Sequence, residues 1–161
     1  DMAYPAGTPY PRDLAIERMR AGAAAARALP RDFFFVARAD GIMNNVYDLD
    51  EALARLRGFD AAGADGLYVP LPASMDDLAR ICAATSKPVN ALAAGVSAKV
   101  SLAEFAAAGV ARVSLGSALA RATHRVIFDA ARDMLEKGDF SALTRSISGT
   151  EIEALLEKGA P

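Results

Sequence analysis

Two segments of the chain share one pattern, in which a glycine ends an apolar helix and a short apolar strand follows. Residues 61–69 have the sequence AAGADGLYV, and residues 107–115 have the sequence AAGVARVSL. Regular alternation of strands with helices predicts parallel strands joined by right-handed crossovers, because each helix returns the chain to the end of the sheet where the previous strand began. An α/β fold is therefore expected.

The rest of the chain extends this alternation. Helix starts are marked by Asp48, Ser74 and Ser101, each of which has an acidic residue three positions later. Short apolar runs bounded by turn residues predict strands between the helices. We predict strands at 33–38, 66–70, 88–93 and 112–115, and helices at 12–29, 48–63, 74–87, 101–109 and 117–137, with a short terminal helix around 152–156.

The number of strands bears on the kind of α/β fold. A complete (β/α)8 barrel usually takes ~250 residues, whereas an open flavodoxin-like sheet can be completed by ~150. Four buried parallel strands would leave both edges of an open sheet unpaired, which favours half of a barrel. Because the chain has 161 residues and begins with Asp1, we expect it to be a processed or truncated piece of a longer protein.

Composition narrows the functional classes. The net charge is −2 with both signs mixed along the chain, which predicts no basic face for nucleic acid. The single cysteine, Cys82, permits no internal disulfide, and its helical context indicates a small buried side chain. We find no apolar run of about 18 residues and expect a cytoplasmic protein without a signal peptide or a membrane partner.

The strongest candidate for a functional site is the end of the first predicted strand. The apolar run ends in Arg38 and Asp40, and Gly41 follows. Residues two apart on a strand point to the same face, and the carboxyl ends of parallel strands hold the chemistry of α/β folds. A guanidinium there can bind a carboxylate through two hydrogen bonds, while Asp40 orients it or carries a proton. A purely structural salt bridge between the two is the alternative.

Three other positions are weaker candidates. Asn90 lies in an otherwise apolar strand and needs hydrogen-bond partners wherever it is buried. His124, the only histidine, has arginines on both sides at helical spacing and is expected to be solvated or to lie at a subunit contact. Backbone N–H groups at Gly116 and Ser117 could hold an anion where a strand leads into a helix, although a plain N-cap role for Ser117 is favoured.

Four segments resemble the isocitrate lyase/phosphoenolpyruvate mutase superfamily. They are 36–40 (VARAD), 61–70 (AAGADGLYVP), 88–90 (PVN) and 109–121 (GVARVSLGSALAR), in order and at fitting separations. The resemblance implies that the chain supplies the last four βα units of a (β/α)8 TIM barrel of the phosphoenolpyruvate mutase type. Asp1 would then be the aspartate of the Glu-Asp pair that ends the fourth strand in these enzymes.

The resemblance also implies a chemistry. Enzymes of this superfamily use Mg²⁺ to hold an α-keto acid or its enolate while a C–C or P–C bond is cleaved or moved. Arg38 would be the catalytic residue that stabilises charge on the enolate oxygen, and Asn90 and Asp40 would bind the substrate. The metal ligands would lie upstream of Asp1, so we expect none in this chain and no turnover by the chain alone.

Two departures from the superfamily narrow the reaction. Lyases of isocitrate-like tricarboxylates have a glutamate at the position of Pro70 and hydroxyl residues at the positions of Ala91 and Leu92. Residues 2–10 also lack the lysine, cysteine and histidine of the usual lyase loop. The resemblance is therefore closer to the branch of mutases, hydrolases and decarboxylases that act on small α-keto or α-hydroxy carboxylic acids.

Two other functions stay open on the sequence. One is a phosphate-binding TIM barrel of another kind, which would use the turn at Gly116 and Ser117 and need no Mg²⁺. The other is a non-catalytic half-barrel that acts only by association. They differ from the main hypothesis in requiring no cluster of metal-binding acids.

The predicted long helix suggests an assembly. Its apolar stripe is wide for a helix that packs on one barrel wall. The side chains of the stripe are Leu119, Val126, Ala130 and Leu135, with Ile127 and Met134 beside them. The resembling enzymes exchange their final helices between subunits, which implies a homo-oligomer, a dimer or tetramer, with residues 117–161 of the single barrel domain crossing to a partner.

Overall fold

The computed structural model describes residues 1–159, which fall into two compact units divided between Gly116 and Ser117. The first unit contains a four-stranded sheet in which consecutive strands are neighbours and every pairing is parallel. Its strands are β3 (Val36–Arg38), β4 (Gly66–Tyr68), β5 (Val89–Leu92) and β6 (Arg112–Ser114). They follow a small antiparallel hairpin of β1 (Met2–Ala3) and β2 (Thr8–Pro9).

Helices alternate with the four parallel strands, as the sequence predicts. They are α1 (Arg12–Arg27), α2 (Leu49–Ala61), α3 (Met75–Ala83) and α4 (Leu102–Ala107), with a 3₁₀ helix at Gly95–Lys99. The side chains of Asp48, Ser74 and Ser101 each accept a hydrogen bond from the backbone N–H three residues later. These caps satisfy N–H groups that a helix leaves free at its start, so the predicted starts of α2, α3 and α4 are confirmed.

The second unit contains helices and short connections, with no strand among its described residues. It contains α5 (Ala118–Lys137), a 3₁₀ helix (Ser141–Arg145) and α6 (Gly149–Gly159). The predicted end of α5 at Gly138 is confirmed by a left-handed backbone there, with φ 64°. Ser117 occupies the N-cap position of α5, as predicted, but its backbone (φ −91°, ψ 5°) is not extended and its hydroxyl makes no capping hydrogen bond.

The helices of the first unit cover one face of the sheet. That face contributes Ala37, Leu67, Val89 and Ala91, which are at most 2% exposed. They pack in two clusters with helix residues such as Leu56, Phe59, Ile81, Leu78 and Phe105. Because side chains alternate along a strand, Arg38, Tyr68 and Asn90 belong to the opposite face, which would be the inner face of a barrel.

The structure corrects several sequence predictions. The strand predicted at 33–38 is ordered as a strand only from Val36, because the N–H of Phe35 donates to the Asp65 carboxylate (2.8 Å) instead of to a neighbouring strand. The other three strands also end inside their predicted bounds, and the hairpin of β1 and β2 was not predicted at all.

Cys82 is half-buried rather than buried, and burial still raises the pKa of its thiol. None of the helices at 1–159 combines the length and apolar character that crossing a membrane requires.

Candidate active site

One row of side chains crosses the inner face of the sheet. Arg38 pairs with Tyr68 on β4, Tyr68 pairs with Asn90 on β5, and Asn90 pairs with Arg112 on β6. Neighbours in a parallel register present their side chains on the same face. The predicted residues Arg38 and Asn90 are thus brought onto one surface, separated by a tyrosine that the sequence analysis did not select.

Arg38 and Asp40 form the ion pair that their spacing predicts. The Nε and Nη2 atoms of Arg38 donate to the same carboxylate oxygen of Asp40, Oδ1, at 2.9 and 2.7 Å. The guanidinium carbon also lies 5.0 Å from the centroid of the Tyr68 ring, within the range of a cation–π contact. The side chain of Arg38 is 46% exposed and that of Asp40 16%, so Arg38 stays accessible to a ligand while Asp40 is largely covered.

Asp1 fixes the backbone where β3 ends. Its carboxylate is fully buried and accepts the Asp40 N–H on Oδ1 at 2.9 Å. The other oxygen, Oδ2, accepts the phenolic O–H of Tyr47 at 2.6 Å. Burial raises the pKa of Tyr47, so the phenol keeps its proton and remains a donor at neutral pH. The Tyr47 ring lies on Gly41, where an added Cβ would come within 2.1 Å of it; only glycine fits there.

Arg55 completes this group and was missed by the sequence analysis. It lies on α2, is 5% exposed, and places Nη1 3.3 Å from Oδ2 of Asp1. Its other donors bind Glu51 Oε1 at 2.9 Å and the Tyr10 carbonyl at 2.9 Å. Hydrogen bonds from Arg12 and then Arg55 outweigh burial and lower the pKa of Glu51. A signal existed, since Arg55 falls among the apolar positions of α2, and a charge on a buried helical face needs a partner.

Asn90 is buried and has partners on β6. Its Nδ2 donates to the Ser114 hydroxyl at 2.9 Å, and its Oδ1 accepts from Nη1 of Arg112 at 3.2 Å. The Ser114 hydroxyl donates a hydrogen bond to the carbonyl of Ala91 at 3.1 Å. An amide nitrogen has two N–H groups, so Asn90 keeps one for a ligand after binding Ser114. A structural role within the sheet accounts for the other contacts.

The described residues do not form a magnesium site by themselves. Within residues 1–159, no three His, Cys, Asp or Glu side chains are grouped so that they could hold a metal ion. The two carboxylates nearest the end of β3, those of Asp1 and Asp40, are engaged by Arg55 and Arg38. His124 is exposed on α5, which fits either of its predicted roles, a solvated residue or a subunit contact.

Comparison with known proteins shows which family the chain belongs to. The family model for phosphoenolpyruvate phosphomutase matches residues 2–135. The chain belongs to this family. A search of curated proteins gives no match at the significance required.

Several solved structures have a fold similar to that of this chain. A candidate lyase/mutase from Burkholderia cenocepacia J2315 is 39% identical and matches all of this chain with a TM-score of 0.90. A candidate phosphonomutase from the same organism is 32% identical over 86% of this chain, with a TM-score of 0.72. A phosphonopyruvate hydrolase complex with oxalate and Mg²⁺ is 19% identical over 99%, with a TM-score of 0.75, and shares the fold.

The chain spans 58%, 56% and 57% of the lengths of these three structures. That partial coverage, together with four consecutive parallel strands, confirms the predicted fold class, a partial (β/α)8 barrel of the phosphoenolpyruvate mutase type. These structures are of a candidate lyase/mutase, a candidate phosphonomutase and a hydrolase. The protein is therefore a member of an enzyme superfamily whose reactions differ from one member to the next.

Proposed function

We propose that the protein is an Mg²⁺-dependent enzyme that cleaves or rearranges a C–C or P–C bond of a small α-keto or α-hydroxy carboxylic acid through an enolate. The observation that carries the proposal is the exposed side chain of Arg38, held by Asp40 at the carboxyl end of β3. Because the chain spans little more than half of its structural neighbours, the activity is proposed for the complete protein, and the present chain alone is expected to be inactive.

Arg38 is the proposed catalytic residue. Its Nε and Nη2 bind Asp40, and Nη1 has no hydrogen-bond partner among residues 1–159. A donor that is fixed before the substrate arrives stabilises the charge that develops on a carboxylate or enolate oxygen without reorganising at the moment of reaction. Because the guanidinium is always cationic, this stabilisation does not depend on pH near neutrality.

Asp40 and Asn90 are the proposed substrate-binding residues. Asp40 acts by orienting Arg38, because its Oδ1 already accepts two hydrogen bonds from that side chain. Asn90 has one amide N–H beyond its bond to Ser114, which suits it to donate to a substrate carboxylate on the inner face. The role of Asp40 is supported by its direct contact with Arg38. The role of Asn90 is supported by its place in the row of paired side chains that begins with Arg38.

Magnesium would be held by residues of the complete protein that lie upstream of Asp1. A phosphonopyruvate hydrolase of the same fold has been crystallised with Mg²⁺ and oxalate, which supports the metal for the complete enzyme. When bound, the ion would act as a Lewis acid toward the substrate oxygens. The described carboxylates serve instead to hold Arg38 and the backbone beside it.

The proposed assembly is a homo-oligomer in which residues 117–161 contact or cross to another copy. Many apolar side chains of α5 and α6 are exposed, which is costly unless a partner covers them. Those more than half exposed are Leu119, Val126, Ile127, Phe128, Leu135, Leu155 and Leu156. Ala160 and Pro161 lie outside the described residues, so that end of the predicted segment is left to experiment.

Turnover of small keto acids by the complete protein tests the proposed function. Phosphonopyruvate and oxaloacetate are suitable substrates, because they share an α-keto acid and differ in the bond, P–C or C–C, that an enolate mechanism would break. We expect Mg²⁺-dependent release of product from at least one small α-keto or α-hydroxy acid, and no release by Arg38→Met. Activity that survives Arg38→Met unchanged would contradict the proposal.

A further inference from the structure

We propose that Arg55 is a positioning residue that keeps the guanidinium of Arg38 in place through Asp1 and Asp40. The proposal rests on the function proposed above and adds to it a residue on α2 that makes no hydrogen bond with Arg38. Three contacts connect the two arginines: Arg55 binds the Asp1 carboxylate, the Asp1 carboxylate accepts the backbone N–H of Asp40, and the Asp40 carboxylate binds Arg38.

The first link is a buried ion pair. The side chain of Asp1 is 0% exposed and that of Arg55 5%, with Nη1 3.3 Å from Oδ2. A carboxylate withdrawn from water keeps its charge only if cations and donors replace the lost hydration. Arg55 supplies the cation, and the Tyr47 hydroxyl supplies a second donor to the same oxygen at 2.6 Å. Oδ2 of Asp1 is thereby held from two directions.

The second link sets the backbone at the end of β3. With Oδ2 held, the other oxygen of Asp1 is aimed at the N–H of Asp40, 2.9 Å away. The carboxylate of Asp40 in turn receives Nε and Nη2 of Arg38. A shift of Asp1 therefore moves the peptide that carries Asp40, and with it the group that orients Arg38.

Arg55 is itself locked by contacts that a lysine cannot reproduce. Its Nε binds Glu51, its Nη2 binds the Tyr10 carbonyl, and its guanidinium lies 4.9 Å from the Tyr47 ring centroid. The guanidinium fork serves three acceptors at once, whereas an ammonium group is a point charge on a flexible stem. Since buried ion pairs often contribute little to net stability compared with apolar packing, the directional use of this fork points to positioning.

Hydrogen exchange of the Arg38 side chain tests the proposal directly. In the ¹⁵N-labelled complete protein, the Nε–H signal of Arg38 is assigned by its absence from the spectrum of Arg38→Lys. We expect Arg55→Lys to accelerate exchange of this proton by about tenfold, the ratio that corresponds to weakening a hydrogen bond to a charged group. Arg57→Lys is the matched control, because Arg57 is exposed on the same helix and takes part in none of the hydrogen bonds described for residues 1–159.

The outcomes are distinct. Faster exchange in a folded Arg55→Lys but not in Arg57→Lys supports the positioning role, and unchanged exchange in both overturns it. If Arg55→Lys does not fold, Arg55→Met decides, because it removes the donors that hold the Asp1 oxygen and keeps an unbranched apolar stem. Unchanged Arg38 exchange in that variant overturns the proposal, and faster exchange supports it.

The measurement needs neither substrate nor metal, which separates it from the proposed function. If the complete protein turns over no small keto acid while Arg55→Lys still accelerates exchange of the Arg38 Nε–H, the positioning role stands and the proposed function fails. If the complete protein is active and Arg38 exchange is unaffected by Arg55→Lys, only the positioning role is lost.

Discussion

The guanidinium of Arg38 lies over the ring of Tyr68, its neighbour in the register of β3 and β4, at 5.0 Å from the centroid. The tyrosine is 8% exposed, so the ring is a fixed surface against which the arginine is held. Asp40 binds the same guanidinium edge-on. The proposed catalytic group is thus restrained from two directions.

Replacing this aromatic ring is expected to loosen Arg38 without removing it. Tyr68→Leu should lower kcat/KM of the complete enzyme by about 3- to 30-fold, since a partly buried cation–π contact contributes about 1–2 kcal/mol. Tyr68→Phe keeps the ring and should stay within about twofold of the unchanged protein by the same reasoning. Equal losses in both variants would assign the effect to the hydroxyl and exclude the ring contact.

Magnesium binding by the present chain is the second prediction. Asp1 and Asp40 are engaged by arginines, and the described residues offer no group of three metal ligands. Calorimetric titration of the chain with Mg²⁺ should therefore give no saturable heat at micromolar concentrations. Tight binding by this chain alone would show that the ligands lie within it and that the division of the site proposed above is wrong.

Acid is expected to weaken the hydrogen bonds that the Asp65 carboxylate accepts from Arg27 and from the Phe35 N–H. Hydrogen bonds from Arg27 and the Phe35 N–H lower the pKa of Asp65 below its ordinary value of 3.8. A depressed folded pKa contributes stability above the unfolded pKa, and that contribution is lost as pH falls through the folded value. Urea unfolding should show Asp65→Asn about 1 kcal/mol less stable at neutral pH, as for a hydrogen bond to a charged group near the surface.

The difference between Asp65→Asn and the unchanged chain should shrink as pH approaches 3, because protonation removes the same charge from Asp65. Asp13→Asn is a suitable control, since Asp13 is exposed at the start of α1 and makes no hydrogen bond described for residues 1–159. A gap between Asp65→Asn and the unchanged chain that is constant from pH 7 to about 3 would mean that charge on Asp65 does not stabilise this turn.

Assembly can be tested on α5. Phe128 is 59% exposed and its ring contacts the guanidinium groups of Arg125 and Arg132, whereas Met134 is half-buried. Light scattering of the complete protein should show a dimer or tetramer. Phe128→Asp should shift it toward smaller species with little change in melting temperature, while Met134→Asp should lower the melting temperature. A clean monomer at micromolar concentration for the unchanged protein would contradict the assembly.

Much of the fold could be predicted because its signals are local. The acidic and hydroxyl caps at Asp48, Ser74 and Ser101 satisfy N–H groups within one turn, and their effect depends on no distant residue. The start of β3 could not be predicted in this way. Phe35 gives its N–H to Asp65, thirty residues later, and a contact of that kind appears only once the chain has folded.

In the candidate site, too, the residues with a local sequence signal could be predicted, and those that depend on long-range contacts could not. Arg38 and Asp40 stand out in the sequence because two charges end an apolar run, and their pairing follows from a spacing of two. Arg55 and Tyr47 reach the site through Asp1, 54 and 46 residues away in the chain. Their role depends on where α2 and the loop before it pack, so the sequence pattern gave only the weaker hint of a charge on a buried helical face.

The kinetic effect of Arg38→Lys in the complete protein tests the central claim most directly. Lysine keeps the positive charge but loses the fork that binds Asp40 and a substrate oxygen together. We predict a fall in kcat/KM of ~10² or more, as for the loss of one oxyanion-stabilising donor, with the melting temperature unchanged. Activity within about threefold of the unchanged enzyme, accompanied by a clear loss of stability, would contradict the account and make Arg38 a structural residue.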